Sequence, residues 1–176
     1  MELREAVAEA RRILADVTPL KTDCGRACGG ACCQPDEDGQ GGMLLFPGEE
    51  ALYEALPDGF SIREDDAVLP DMKLLICDGV CERENRPLSC RLFPLLPLPG
   101  ENGSIRVVTD RRARAVCPLA RQGKTAMDPA FIEAVREAGE LLAEDPDQEY
   151  FLSLLADEQE ELKKLAQLLG GGNGNG

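Results

Sequence analysis

The chain has 176 residues, is 43% hydrophobic, and carries 19 basic against 33 acidic residues for a formal charge of -14. That balance suits one globular domain and disfavours general binding to nucleic acid or to an anionic membrane. No run approaches the ~18 apolar residues of a membrane span. The opening Met-Glu-Leu-Arg-Glu-Ala-Val has no apolar export core, so a cytoplasmic location is expected.

In chain order, Leu3, Val7, Ala10, Leu14 and Val17 recur at steps of three and four, which predicts an amphipathic helix over 2–17, ended by Thr18-Pro19. Lys21 to Gly42 is rich in glycine and reads as a loop that turns sharply around a bound ion. Met43 to Phe46 is a short apolar run, Pro47 opens a short helix through Leu56, and Pro57-Asp58-Gly59 is a turn. Lys73 to Cys77 predicts a short buried strand, followed by the turn signal Asp78-Gly79. Ser104 to Thr109 alternates as a half-exposed strand able to pair with it, while Pro94, Pro97 and Pro99 make the segment between them irregular or extended. Asp128-Pro129 and Asp145-Pro146 are helix starts, the second with Gln148 placed as in a capping box. Leu155, Leu162, Leu165 and Leu169 form a stripe on the last helix that is expected to cover the core. The expectation is an α+β fold, mainly helical, with a small β element, a cysteine-rich metal-binding core and two helices at the C-terminus. It forms one domain over 1–169, with core 20–120, helical appendage 128–169 and a flexible tail 170–176.

Eight cysteines and no histidine dominate the chemistry. Cys24, Cys28, Cys32 and Cys33 form one cluster, Cys77, Cys81 and Cys90 a second, and Cys117 follows alone. Thiolates are soft donors that select zinc, copper(I) or iron-sulfur clusters, and without imidazole such a site is built mostly from sulfur. A disulfide framework is the competing account. It is opposed by the missing export signal and by a chain long enough to bury a core without staples.

The gaps Cys24 to Cys28 and Cys28 to Cys32 each hold three residues, whereas zinc knuckles usually hold two. That spacing favours a 4Fe-4S cluster, with zinc as the alternative. Adjacent Cys32 and Cys33 diverge if the backbone is extended, which leaves one of them spare or a ligand to a second ion. From Glu82 to Arg121 eight arginines stand against four acids, a basic segment around Cys90 that ends beside Cys117. Arg86 and Arg91 flank Cys90 and are the candidates to donate to bound sulfur, while others such as Arg112 are expected on a solvated face.

The segment Arg86-Pro87-Leu-Ser-Cys90-Arg91-Leu-Phe93-Pro94, preceded by Cys77 and Cys81 and by the earlier cluster, resembles the zinc- or iron-chelating family named for a Cys-x-x-Cys-x-x-Cys-Cys motif. The resemblance covers residues 24–94, and Cys117 is consistent with a later cysteine of many members. It implies thiolate metal binding by Cys24, Cys28, Cys32, Cys33, Cys77, Cys81, Cys90 and Cys117, without implying a reaction. This chain departs from the family by one extra residue in each gap of the first motif. A similar motif occurs in larger enzymes that methylate flagellin lysines, but no glycine-rich nucleotide-binding unit is visible here.

Three functions therefore stand: a protein that holds a 4Fe-4S cluster or zinc, a zinc-stabilised interaction module, and a redox or modification enzyme that uses the metal. Any general base would have to be a carboxylate, cysteine or tyrosine, and no paired constellation of these stands out. The expected partner is a metal ion or cluster rather than nucleic acid or membrane, with a protein partner left open.

Overall fold

The computed structural model describes residues 3–34, 42–65, 70, 72–79 and 81–170. It is an α+β fold, mainly helical, and no helix among the described residues is long and apolar enough to cross a membrane. The apolar stripe of the first segment forms helix α1, Leu3–Ile13, and buries Ala6, Val7 and Ala10.

Two small antiparallel sheets follow. Strands β1 (Met43–Leu44), β2 (Phe60–Asp65) and β3 (Met72–Cys77) form one, in the order β1-β3-β2, with Phe60 opposite Cys77 and Leu44 opposite Leu74. The other pairs β4 (Leu95–Pro99) with β5 (Ile105–Thr109). The predicted strand at 104–109 therefore exists but pairs with the proline-bearing segment, not with Lys73–Cys77. The reason lies in the ladder's parity. Asp110 N–H donates to Pro94 O at 2.9 Å and Gly100 N–H to Ser104 O at 2.8 Å. Leu96 and Leu98 share that parity, so Pro97 and Pro99 occupy alternate positions whose nitrogens point away from β5. A two-stranded sheet has a free edge there, where proline is tolerated.

The remaining helices are α2 (Cys24–Cys28), α3 (Leu88–Leu92), α4 (Pro118–Gln122), α5 (Pro129–Leu142) and α6 (Pro146–Gly170). Both C-terminal starts are capped as their sequence implies: Asp128 accepts from Ala130 N–H, and Asp145 from the N–H groups of Asp147 and Gln148. Gln148, however, is buried and donates to Pro47 O at 2.8 Å, so it serves a tertiary contact and not a capping box. The expected helix from Pro47 shrinks to a 3-10 turn, Glu49–Leu52, because the Glu49 side chain is drawn inward to backbone donors of other segments.

One apolar core unites α1, α3, α5, α6, β1 and the β4-β5 ribbon, with Phe46 and Phe151 edge to face at 4.9 Å. Helix α5 lies close on the ribbon at Gly139. A Cβ there would sit 2.9 Å from Ile105 Cγ2 and clash with the Pro97 ring, so glycine is required for the approach. The leucine stripe of α6 covers the core only through Leu155. Leu162 is half-buried, and Leu165 and Leu169 are exposed because the helix outruns the sheet beneath it. Of the expected tail, Gly170 ends α6 and residues 171–176 lie outside the described residues.

Candidate metal centre

The first cysteine cluster is not the open loop that its glycines imply. Asp23 caps the short helix α2 by accepting from Gly25 N–H at 3.1 Å. The three-residue gap then places Cys24 and Cys28 one turn apart on one helical face. Gly29 and Gly30, with φ of 67° and 69°, take left-handed conformations that end the helix and start a 3-10 turn, Ala31–Cys33. In that tight turn the neighbouring sulfurs of Cys32 and Cys33 lie 4.0 Å apart and do not diverge as extended backbone would make them. Residues 35–41 of the predicted glycine loop lie outside the described residues.

Cys77 ends β3 as predicted. Gly79, at φ 90°, turns the chain beyond it and packs against Cys33: a Cβ at that position would lie 3.0 Å from the Cys33 carbonyl oxygen. Cys90 sits within α3, where Pro87 O accepts from Arg91 N–H, and Ser89 ties α3 to the Leu44 carbonyl of β1. Cys117 follows a 3-10 turn at Arg112–Ala115, is fixed by its N–H to Ala113 O at 2.7 Å, and leads into α4.

These elements converge on one cavity of about 620 Å³ that is lined by all eight cysteines. Its walls also include apolar side chains such as Leu14, Phe60 and Leu119. All eight are free thiols. Among the described residues, no three histidine, cysteine, aspartate or glutamate side chains stand in the arrangement of a ligated ion. Sulfur is the soft donor type of this cavity, and the Cys32 to Cys33 separation is near the roughly 3.8 Å between tetrahedral sulfurs set by a Zn–S bond of about 2.3 Å.

The thiol acidities divide. Burial raises Cys24, Cys81 and Cys90, the last strongly, and the charges of neighbouring thiols add to the effect. Cys32 is raised and Cys33 lowered as a pair: a hydrogen bond between the two thiols favours ionisation of Cys33, and the Arg86 guanidinium favours it further. Arg86 lies close enough to Cys81 and Cys33 for their charges to act on it. Burial works against its charge, but Cys81, Asp23 and Cys33 together outweigh that effect and raise its pKa. It lines the same cavity as Cys81 and Cys33.

Arg91 is occupied elsewhere. Although it borders the cavity, its guanidinium donates to four backbone carbonyls: Arg86 O at 2.9 Å, Arg11 O at 3.1 Å, Arg83 O at 3.2 Å and Glu84 O at 2.9 Å. The expected bond from Arg91 to sulfur is replaced by a clamp on the backbone between Cys81 and Cys90. Arg83 extends the clamp to Ala15 O and Val17 O behind α1, and Arg11 to Glu84 O. A planar group with five donors can gather several carbonyls at once, so a basic segment need not face solvent or ligand. Arg112 is likewise no solvated bystander, since it pairs with Asp110 and Glu158 and joins α6 to the end of β5.

Glu49 is the functional-region residue that the sequence does not single out. Fully buried, its carboxylate accepts Phe46 N–H at 3.1 Å and Leu88 N–H at 2.6 Å, with Arg11 at 3.7 Å. Burial pushes it up to about 7, against the two backbone donors and the guanidinium charges of Arg11 and Arg91. It fixes the start of α3, two residues before Cys90. Compared with family models, curated proteins and solved structures, the chain matches none.

Proposed function

We propose that this protein binds a soft metal, as zinc or a 4Fe-4S cluster, through thiolates gathered in the cysteine-lined cavity. The observation that carries the reading is the convergence of all eight cysteines, from positions 24 to 117, on that one cavity. The resemblance of Arg86 to Pro94 to the chelating family, the absence of histidine, which leaves sulfur as the main soft donor, and the placement of Arg86 near Cys81 and Cys33 support it. A bound metal would supply cross-linking of the short turns and, as a cluster, one-electron chemistry. The chain's own residues supply the sulfurs, the Arg86 charge and the apolar wall that limits water.

Binding displaces protons from the raised thiols, so affinity rises with pH. The test is metal and sulfide analysis with an absorption spectrum of anaerobically purified protein. Stoichiometric zinc, or iron and sulfide with broad absorption near ~400 nm, is the expected result. Protein with neither metal that also fails to take up zinc or a reconstituted cluster would end the proposal.

A further inference from the structure

We propose that Cys32 and Cys33 form a reversible redox pair, which a low-molecular-weight disulfide oxidises to a disulfide between the two neighbours and a thiol reduces back. The chemistry needs no bound ion. It therefore stands whether or not the cavity takes metal, and oxidation withdraws two of the eight cysteine sulfurs that line the cavity.

Extended backbone would send neighbouring side chains to opposite faces, but this pair lies in the 3-10 turn Ala31–Cys33. Both ends of the turn are fixed. Gly30 enters it with φ 69°, a conformation that glycine adopts at no steric cost, and its carbonyl accepts from Cys33 N–H at 2.8 Å. At the other end Gly79 packs on the Cys33 carbonyl, where a Cβ would stand 3.0 Å from the oxygen. The two sulfurs are thereby left 4.0 Å apart. A disulfide bond of about 2.05 Å requires them to approach by about 2 Å, a distance within the sweep of χ1 rotation of two short side chains. Cys32 is exposed, Cys33 is half-buried and both are free thiols, so a small reagent reaches the pair from solvent. Cys28, the nearest other cysteine in the chain, belongs to α2 on the far side of two left-handed glycines, Gly29 and Gly30.

The step balances as two thiol–disulfide exchanges. One cysteine of the pair, as its thiolate, attacks a sulfur of the reagent disulfide, which forms a mixed disulfide and releases one reagent thiol. Its neighbour, once deprotonated, attacks the protein sulfur of that mixed disulfide, closes the bond between positions 32 and 33, and releases the second reagent thiol. Both cysteine sulfurs are oxidised and the reagent is reduced to two thiols. Geometry also makes the product easy to reverse. The peptide joining the pair is trans, so its Cα atoms stand about 3.8 Å apart, below the roughly 4.4 Å at which ordinary disulfides begin, and strain of this kind favours reduction. With no residues enclosed between the cysteines, the bond restrains almost nothing in the unfolded chain. It is suited to switching and not to stapling.

The experiment treats the full chain, reduced and freed of metal by a chelator, with glutathione disulfide under anaerobic conditions, and follows thiol count, intact mass and fragmentation mass spectra. The first two of the eight thiols to disappear are expected to be Cys32 and Cys33, with a mass lower by two hydrogens, no retained glutathione and full recovery on adding reduced glutathione. Cys28→Ser should behave as the wild type does. Cys33→Ser should stop at a glutathione adduct on Cys32, and Cys32→Ser should form no disulfide at the turn. A first disulfide that joins Cys32 or Cys33 to any other cysteine, a lasting glutathione adduct on wild-type Cys32, no loss of thiols, or a bond between the pair that resists reduced glutathione would each overturn the proposal. None of these results bears on whether the reduced protein takes up zinc or a cluster.

Discussion

The two ends of this molecule are held by different means. Around α1, α5, α6 and the β4-β5 ribbon, large apolar side chains are fully covered, and the buried Asp110 is matched to Arg112 and Gln159. Around α2, α3, β3 and α4, the elements are five or six residues long, and a cavity lined by all eight thiols separates them, although Leu88 and Leu92 of α3 still reach the core. Helices of five residues have little stability of their own. Packing therefore maintains the first region, and backbone clamps by Arg83 and Arg91, joined under the proposal by thiolate ligation, maintain the second.

The largest expected effect tests the packed region. Phe151→Ala removes a fully buried ring that meets Phe46, and should lower unfolding stability by about 3–5 kcal/mol. Denaturant titration measures the loss. Zinc stoichiometry in the absence of denaturant should not change, and a parallel loss of metal would mean the two regions are not separable.

The two arginines sharpen the boundary. Arg91→Leu deprives four carbonyls of a charged donor and should cost about 2–3 kcal/mol of stability. Arg86→Leu should leave stability nearly intact and weaken zinc affinity by roughly tenfold or more. A chelator competition paired with denaturant titration separates the outcomes, and equal effects on affinity from both variants would refute the assigned roles.

A smaller effect links the regions through Glu49. Because burial raises its folded value from 4.5 to about 7, the native chain holds this proton more tightly than the unfolded chain does. The contribution to stability is present below pH 4.5, falls as pH rises to about 7 and is level above it, a change of order 1–3 kcal/mol. Glu49→Gln should flatten that part of the stability profile between pH 5 and pH 8, because the amide does not titrate. An unchanged slope would show that Glu49 stays ionised throughout.

Much of the fold is legible in the sequence where a signal is local. Asp128-Pro129 and Asp145-Pro146 start helices by capping chemistry that needs no tertiary partner, and the stripe from Val7 to Leu14 marks α1. The strand at 95–99 is hidden by Pro97 and Pro99, whose tolerance depends on which edge of a ribbon they face. Strand β2, although Phe60 and Ile62 alternate, is defined by pairing with β3. The cysteines stand out in the sequence as the basis of the proposed soft-metal chemistry, but their convergence on one cavity depends on contacts such as Gly79 against Cys33. The carbonyl targets of Arg91 lie as far away as Arg11, so no spacing rule around Cys90 discloses them.

The measurement that most directly tests the difference between the two regions is amide hydrogen exchange of metal-loaded and chelator-stripped protein under reducing conditions. Metal removal should speed exchange by at least about tenfold in residues 24–34, 77–92 and 113–122, and leave α5 and the first half of α6 unchanged. Equal protection in both states, or loosening spread evenly through α5 and α6, would contradict the account that ligation holds one end of the molecule while packing holds the other.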